Sequence, residues 1–253
     1  MTTRFQFGLL WIALVVSAPF AKAQKLVGTK GVFHSDHQSV SIEEYDPPGK
    51  GAHWAVMVVH GGGGPEGDWR KGGIIEDLVG AGYSVFVPHY FEGSGGKWDR
   101  SMPPEQFVKY VRTLNDASRY IGEQTGIHRH VIGLVGFSLG GYLVLTLAEE
   151  SNSHPPPLHS PEIKAVVEFY GAMPEFAAER MSKMPPVLML HGDMDEIVPV
   201  SRAHALEELL KKKGGQWEMK IYPGQRHGLE GEAGADANRR TVAFLQEFLS
   251  EKH

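Results

Sequence analysis

The chain has 253 residues, 42% of them hydrophobic and 22% charged, a make-up that suits an ordinary globular domain with one sizeable core. Its formal net charge is -5, from 25 basic and 30 acidic residues with no long run of either sign, so no basic stripe is offered to a nucleic-acid backbone. Cysteine is absent, which excludes disulfides, thiolate zinc sites, a cysteine nucleophile and a lipidated cysteine.

Residues 1–23 read as an export signal: Arg4 supplies the positive start, 8–16 (GLLWIALVV) an apolar stretch too short to span a bilayer comfortably, and Ala21-Lys22-Ala23 a small-residue cleavage site. The expectation is a periplasmic or secreted chain that begins near Gln24 and keeps no stable membrane insertion, with an uncleaved anchor as the alternative. Residues 24–253 are expected to form a single domain. Residues 27–45 hold two β-like stretches around a polar turn at Ser35-Asp36-His37, an opening antiparallel pair.

Short apolar runs then alternate with amphipathic segments, the pattern of an α/β fold with a mostly parallel central sheet and helices on both faces. The runs predict strands at 54–59, 84–88, 131–135, 163–169, 186–190 and 217–222. A helix is predicted over 105–123, with Phe107, Val108, Val111, Leu114, Ala117 and Ile121 on its apolar face. Others follow at 140–149, at 203–213 (stopped by Gly214-Gly215) and at 239–249, while 151–161 (SNSHPPPLHSP) reads as a proline-rich surface loop.

Gly136-Phe137-Ser138-Leu139-Gly140 fits a nucleophile elbow, a turn from strand to helix so sharp that the flanking glycines are needed to relieve crowding. The pattern alone is weak; its place between an apolar run and a helical run is what points to Ser138 rather than to a turn serine. A serine hydroxyl needs a base and a group to orient that base. In His191-Gly192-Asp193-Met194-Asp195-Glu196-Ile197-Val198-Pro199, Asp195 is the candidate orienter, with Asp193 and then Glu196 as rivals. His227, in Pro223-Gly224-Gln225-Arg226-His227-Gly228, is the candidate base. The glycines after His60 suit an oxyanion hole in which the N–H of Leu139 pairs with one from Gly62 or Gly63. Neither that loop nor residues 93–97 completes a phosphate-binding motif. Tyr90, Phe91, Trp98 and Arg100 could line a substrate pocket or simply form a structural loop. The pairs His34/His37 and His128/His130 lack a third convergent ligand, so no metal site is expected.

With these residues in view, the chain resembles the dienelactone hydrolase family of α/β-hydrolases from about residue 30 onward, through 135–141 (VGFSLGG), 191–199 and Arg226-His227-Gly228. The Ser, Asp, His order is the one α/β-hydrolases use. The resemblance implies cleavage of a small ester or lactone through an acyl-enzyme, with no metal or organic cofactor and no large cap domain. Members best known for dienelactone carry cysteine at the nucleophile position, where this chain has Ser138. A peptidase or an acyl-transferase could use the same machinery, and an inactive binding member could keep its shape. Oligomeric state is left open.

Overall fold

The computed structural model describes residues 26–99, 103–153 and 160–250. The predicted signal segment and Arg100 lie outside the described residues. Eight strands form one sheet, in the order β1-β2-β4-β3-β5-β6-β7-β8. The first two, β1 (Thr29–Ser35) and β2 (Gln38–Tyr45), make the antiparallel hairpin expected from the sequence, and its turn residues Asp36 and His37 take positive φ of 44° and 65°. The strands β3 (His53–Val59), β4 (Tyr83–Pro88), β5 (Ile127–Phe137), β6 (Glu162–Phe169), β7 (Val187–Gly192) and β8 (Trp217–Tyr222) are mutually parallel; β2 joins them antiparallel to β4.

Parallel strands covered on both faces are apolar throughout rather than alternating, which is why each one stands out in the sequence. Side chains of β3 alternate between two cores: Ala55, Met57 and Val59 face one, Val56 and Val58 the other. The first core is closed by α2 (Pro104–Gly122), α3 (Leu139–Ser153), α4 (Glu175–Arg180) and α5 (Ser201–Lys212); α1 (Ile74–Gly80) and α6 (Gly231–Leu249) close the second. Burying a Leu, Ile, Val or Phe side chain contributes about 1.5–3 kcal/mol each, so the two faces together carry the fold.

Four expectations need correction. The helix assigned to 239–249 begins eight residues earlier, at Gly231, because its first turns pack through Gly234 and Ala237, residues too small to register as an apolar stripe. The helix α3 continues through Ser153, into the stretch read as loop. Strand β5 starts at Ile127, four residues before the predicted run, and reaches its pairing with β3 through an irregularity between His53 and Ala55. Val108 stands exposed on α2, while Tyr110, absent from the predicted stripe, is fully buried. Of the short helices, α1 and α4 have too few turns to show a period.

Candidate active site

Parallel strands present their C-terminal ends on one edge, and the loops there gather the candidate residues. Ser138 follows β5 directly and takes φ 53°, the left-handed region that a residue with a Cβ enters only under strain of about 1–2 kcal/mol. Local contacts hold it there. The Ser138 N–H donates to the Phe169 carbonyl at 2.9 Å, and its own carbonyl accepts from Gly141 N–H at 2.8 Å. The motif's glycines have a steric reason: a Cβ on Gly136 would sit 2.3 Å from the Gly140 carbonyl oxygen, and one on Gly140 2.1 Å from that of Val59.

Asp195 lies in the loop after β7 with its side chain out of solvent, and its Oδ1 accepts the N–H groups of Ile197 and Val198, both at 2.8 Å. Its Oδ2 lies 2.8 Å from His227 Nδ1, and His227 Nε2 lies 2.8 Å from Ser138 Oγ. A carboxylate can only accept, so Nδ1–H donates to Asp195 and Nε2 is left to accept the serine O–H. Three residues distant in sequence are thereby brought into one chain of hydrogen bonds. Asp193 is held elsewhere, accepting from Gly224 N–H at 2.7 Å, and the exposed Glu196 faces Arg226 at 3.7 Å.

His191 is fully buried beneath this loop, donating from Nε2 to the Val198 carbonyl at 2.8 Å, and burial lowers its pKa, which favours the neutral ring. A second buried group, Glu168 at the end of β6, accepts from Gly171 N–H at 2.6 Å while its other oxygen meets no partner among the described residues. Burial pushes its carboxyl up to about 8, so it is largely protonated at neutral pH.

The glycine loop after β3 passes beside Ser138. Gly61, Gly62 and Gly63 line a cavity of about 300 Å³ together with Ser138 and His227, and the N–H groups of Gly62 and Gly63 make no backbone hydrogen bond among the described residues. Leu139 opens α3, where first-turn N–H groups lack intrahelical acceptors, and its side chain turns into the core. A Cβ on Gly62 would meet the indole of Trp98 at 2.8 Å, so Trp98 packs on this loop. Tyr90 and Phe91, offered above as pocket residues, do not line the cavity. Tyr90 is fully buried, stacks on His60 at 4.1 Å and donates its hydroxyl to the His60 carbonyl at 2.9 Å, so both aromatics brace the loop from within the core. Burial holds the His60 imidazole down at about 4, hence neutral.

The far end of the glycine loop is tied to the sheet by Arg70, which donates to the Pro65 carbonyl and lies 2.6 Å from Glu43 Oε1. Glu43 also meets His89 at 2.7 Å and Tyr45. Burial alone would raise the Glu43 carboxyl, but hydrogen bonds from His89, Tyr45 and Arg70 outweigh it and hold it at about 2.

Several cavity residues escaped the sequence reading: Trp69, Phe137, Phe169, Tyr170, Leu229, Asp68 and Glu230. Tyr170 was the most findable, since it directly follows an apolar strand on the active edge; it takes φ 43° and sets its ring edge-on to His227 at 4.9 Å.

A model of the dienelactone hydrolase family matches residues 45–249, most of the chain. The chain belongs to the dienelactone hydrolase family. This makes it an ester-acting hydrolase, and the parallel sheet with helices on both faces is the family's α/β-hydrolase fold. Among relatives, a carboxymethylenebutenolidase homolog of Xenopus tropicalis is 27% identical over 238 residues, covering 87% of this chain and 90% of that one. A putative dienelactone hydrolase of Klebsiella pneumoniae superposes with a TM-score of 0.71 at 18% identity, over 89% of this chain and all of its own. Esterase 2 of Thermogutta terrifontis, solved as phosphoramylated by tabun, gives 0.71 at 21% identity, over 89% of this chain and 97% of its own. At these identities the two solved structures speak to the fold.

Proposed function

We propose that this dienelactone hydrolase family member cleaves a small ester or lactone through an acyl-enzyme formed on Ser138. The observation that carries the reading is His227 bridging Ser138 Oγ and Asp195 Oδ2, each at 2.8 Å, at the wall of a cavity. In the first half-reaction Ser138 Oγ bonds to the carbonyl carbon and its proton passes to His227 Nε2. Asp195 holds the ring in the productive tautomer and stabilises the imidazolium. The carbonyl oxygen becomes an oxyanion, received by the N–H of Leu139 and one of Gly62 or Gly63, a donor worth roughly 3–4 kcal/mol. The C–O bond then breaks as the leaving alkoxide takes the proton from Nε2. Water, deprotonated by the same nitrogen, releases the acyl group and restores the serine.

The Thermogutta esterase of this fold is phosphoramylated by tabun, which makes an organophosphorus probe the natural test. Intact-mass spectrometry after incubation with a fluorophosphonate should show one adduct that maps to Ser138. Ser138→Ala should lose both the adduct and nearly all ester turnover while keeping the fold; undiminished turnover in folded Ser138→Ala overturns the reading. Export, with removal of residues 1–23, is part of the proposal, and N-terminal sequencing of secreted protein tests it.

A further inference from the structure

His191 belongs not to the loop that carries Asp195 but to β7, where it pairs with Ile221 of β8. Its side chain is fully buried. The Val198 carbonyl can only accept, so the 2.8 Å contact puts the ring proton on Nε2 and leaves Nδ1 as an acceptor. That Nδ1 meets no partner among the described residues. An unpaired polar atom in a buried position is unfavourable, and a leucine or methionine would avoid it. What neither could supply is the Nε2–H.

That N–H reaches the Ser138–His227–Asp195 chain by two routes. Val198 accepts it at its carbonyl and donates its own N–H to Asp195 Oδ1 at 2.8 Å, so one residue passes the constraint from the strand to the carboxylate. The same Nε2 lies 3.4 Å from Asp195 Oδ2, the oxygen that accepts from His227 Nδ1. With Val198 on Oδ1 and the ring edge against Oδ2, turning the carboxylate plane has to disturb one contact or the other. The end of β7 is also stitched to the loop that carries His227: Met194 N–H donates to the Gln225 carbonyl at 3.0 Å, and a Cβ on Gly192 would lie 2.3 Å from that same oxygen. We infer that His191 is a positioning residue for Asp195, and through Asp195 for His227: it sets the plane of the carboxylate from a rigid strand. The inference rests on the ester-hydrolase reading above, because the carboxylate needs a fixed plane only if it orients a catalytic base. A misplacement of about 1 Å in such a group costs on the order of a hundredfold in rate.

The test sets three variants beside wild type, each checked for folding by circular dichroism, with steady-state kinetics on p-nitrophenyl acetate and the rate of fluorophosphonate labelling as readouts. His191→Leu fills the site and removes the N–H. His191→Gln returns an amide N–H to about the place of Nε2, whereas His191→Asn carries its amide too short to reach the Val198 carbonyl. In His191→Leu, kcat should fall about ten- to a hundredfold with KM little changed, and labelling should slow with it. His191→Gln should recover most of both. The downfield Nδ1 proton resonance of His227, which reports its bond to Asp195, should be displaced in His191→Leu and hold its place in His191→Gln. A folded His191→Leu with wild-type kcat and an unmoved resonance overturns the inference. A loss that His191→Gln does not restore overturns it as well, since the N–H would not be what matters. If the leucine variant does not fold, equal turnover in His191→Gln and His191→Asn has the same force. Wild-type protein that neither hydrolyses the ester nor takes a phosphonate adduct overturns the ester-hydrolase reading itself, and the inference with it.

Discussion

Gly140 lies so close to the end of β3 that a Cβ there would stand 2.1 Å from the carbonyl oxygen of Val59 and 2.7 Å from that of His60. The contact locks the first turn of α3 onto the strand that leads into the glycine loop, so Ser138, the proposed nucleophile, and the candidate oxyanion donors share one rigid junction.

Gly140→Ala should therefore damage the site more than the fold. The backbone atoms it meets cannot swing aside, and overpacking of this kind costs about 1–3 kcal/mol. A thermal midpoint lowered by several degrees together with a kcat lowered at least a hundredfold is the expected pair of results. A variant with wild-type kcat would mean that the junction does not set the geometry of the serine.

Asp195→Asn should cost up to ~10⁴ in kcat, since an amide that donates to Nδ1 leaves the wrong tautomer facing Ser138. Asp193→Asn keeps an oxygen that can accept from Gly224 N–H and should stay within a few fold of wild type. Steady-state kinetics on both variants with one neutral ester settles the comparison, and the reverse ranking would refute the assignment.

Much of this site was legible because its parts are local. The elbow announces itself by glycine spacing after an apolar run, and Asp195 and His227 sit just past β7 and β8, where chemistry gathers on a parallel sheet. What stayed illegible depends on tertiary approach. Tyr90 and Phe91 lie on the same edge by sequence, yet they turn inward against His60, and no periodicity reports which way a loop aromatic points. The first turns of α6 were missed because glycine and alanine pack as tightly as leucine where α1 comes close, without a hydrophobic pattern to show it. Trp69 reaches the cavity from a turn that Arg70 and Glu43 tie to β2 and that its own Nε1–H ties to the Gly64 carbonyl.

That tie gives a third expectation. Arg70→Met leaves the mostly buried Glu43 without one of its partners, at a cost of about 1–3 kcal/mol once partial exposure of the arginine is allowed for. The sign of the pH dependence follows from the lowered carboxyl: with Glu43 held at about 2 in the fold against an ordinary value of 4.5, the stability it contributes is present above pH 4.5 and is lost as pH falls towards 2. The difference in unfolding free energy between wild type and Arg70→Met should thus be largest near pH 6 and shrink by pH 3. A difference that stays constant across that range would mean that the arginine acts through packing on Trp69 and not through Glu43.

The last expectation concerns Glu168, the buried carboxyl beside the elbow. In the folded chain burial raises it to about 8, whereas the unfolded chain releases the proton near 4.5. Between those values the folded state holds one proton more than the unfolded state, so the contribution of Glu168 to stability is full below pH 4.5 and is lost as pH rises to about 8. The slope is at most about 1.4 kcal/mol per pH unit, and flattens once the folded carboxyl has ionised. Glu168→Gln keeps the shape and an oxygen that can accept from Gly171 N–H, but it cannot ionise. Groups that titrate elsewhere are common to both proteins and cancel in the comparison. The thermal midpoint of Glu168→Gln relative to wild type should therefore climb from pH 5 to about pH 8 and level off by pH 9. Parallel curves would show that the carboxyl titrates alike in both states, and that its burial beneath the Phe169–Gly171 turn is relieved by solvent.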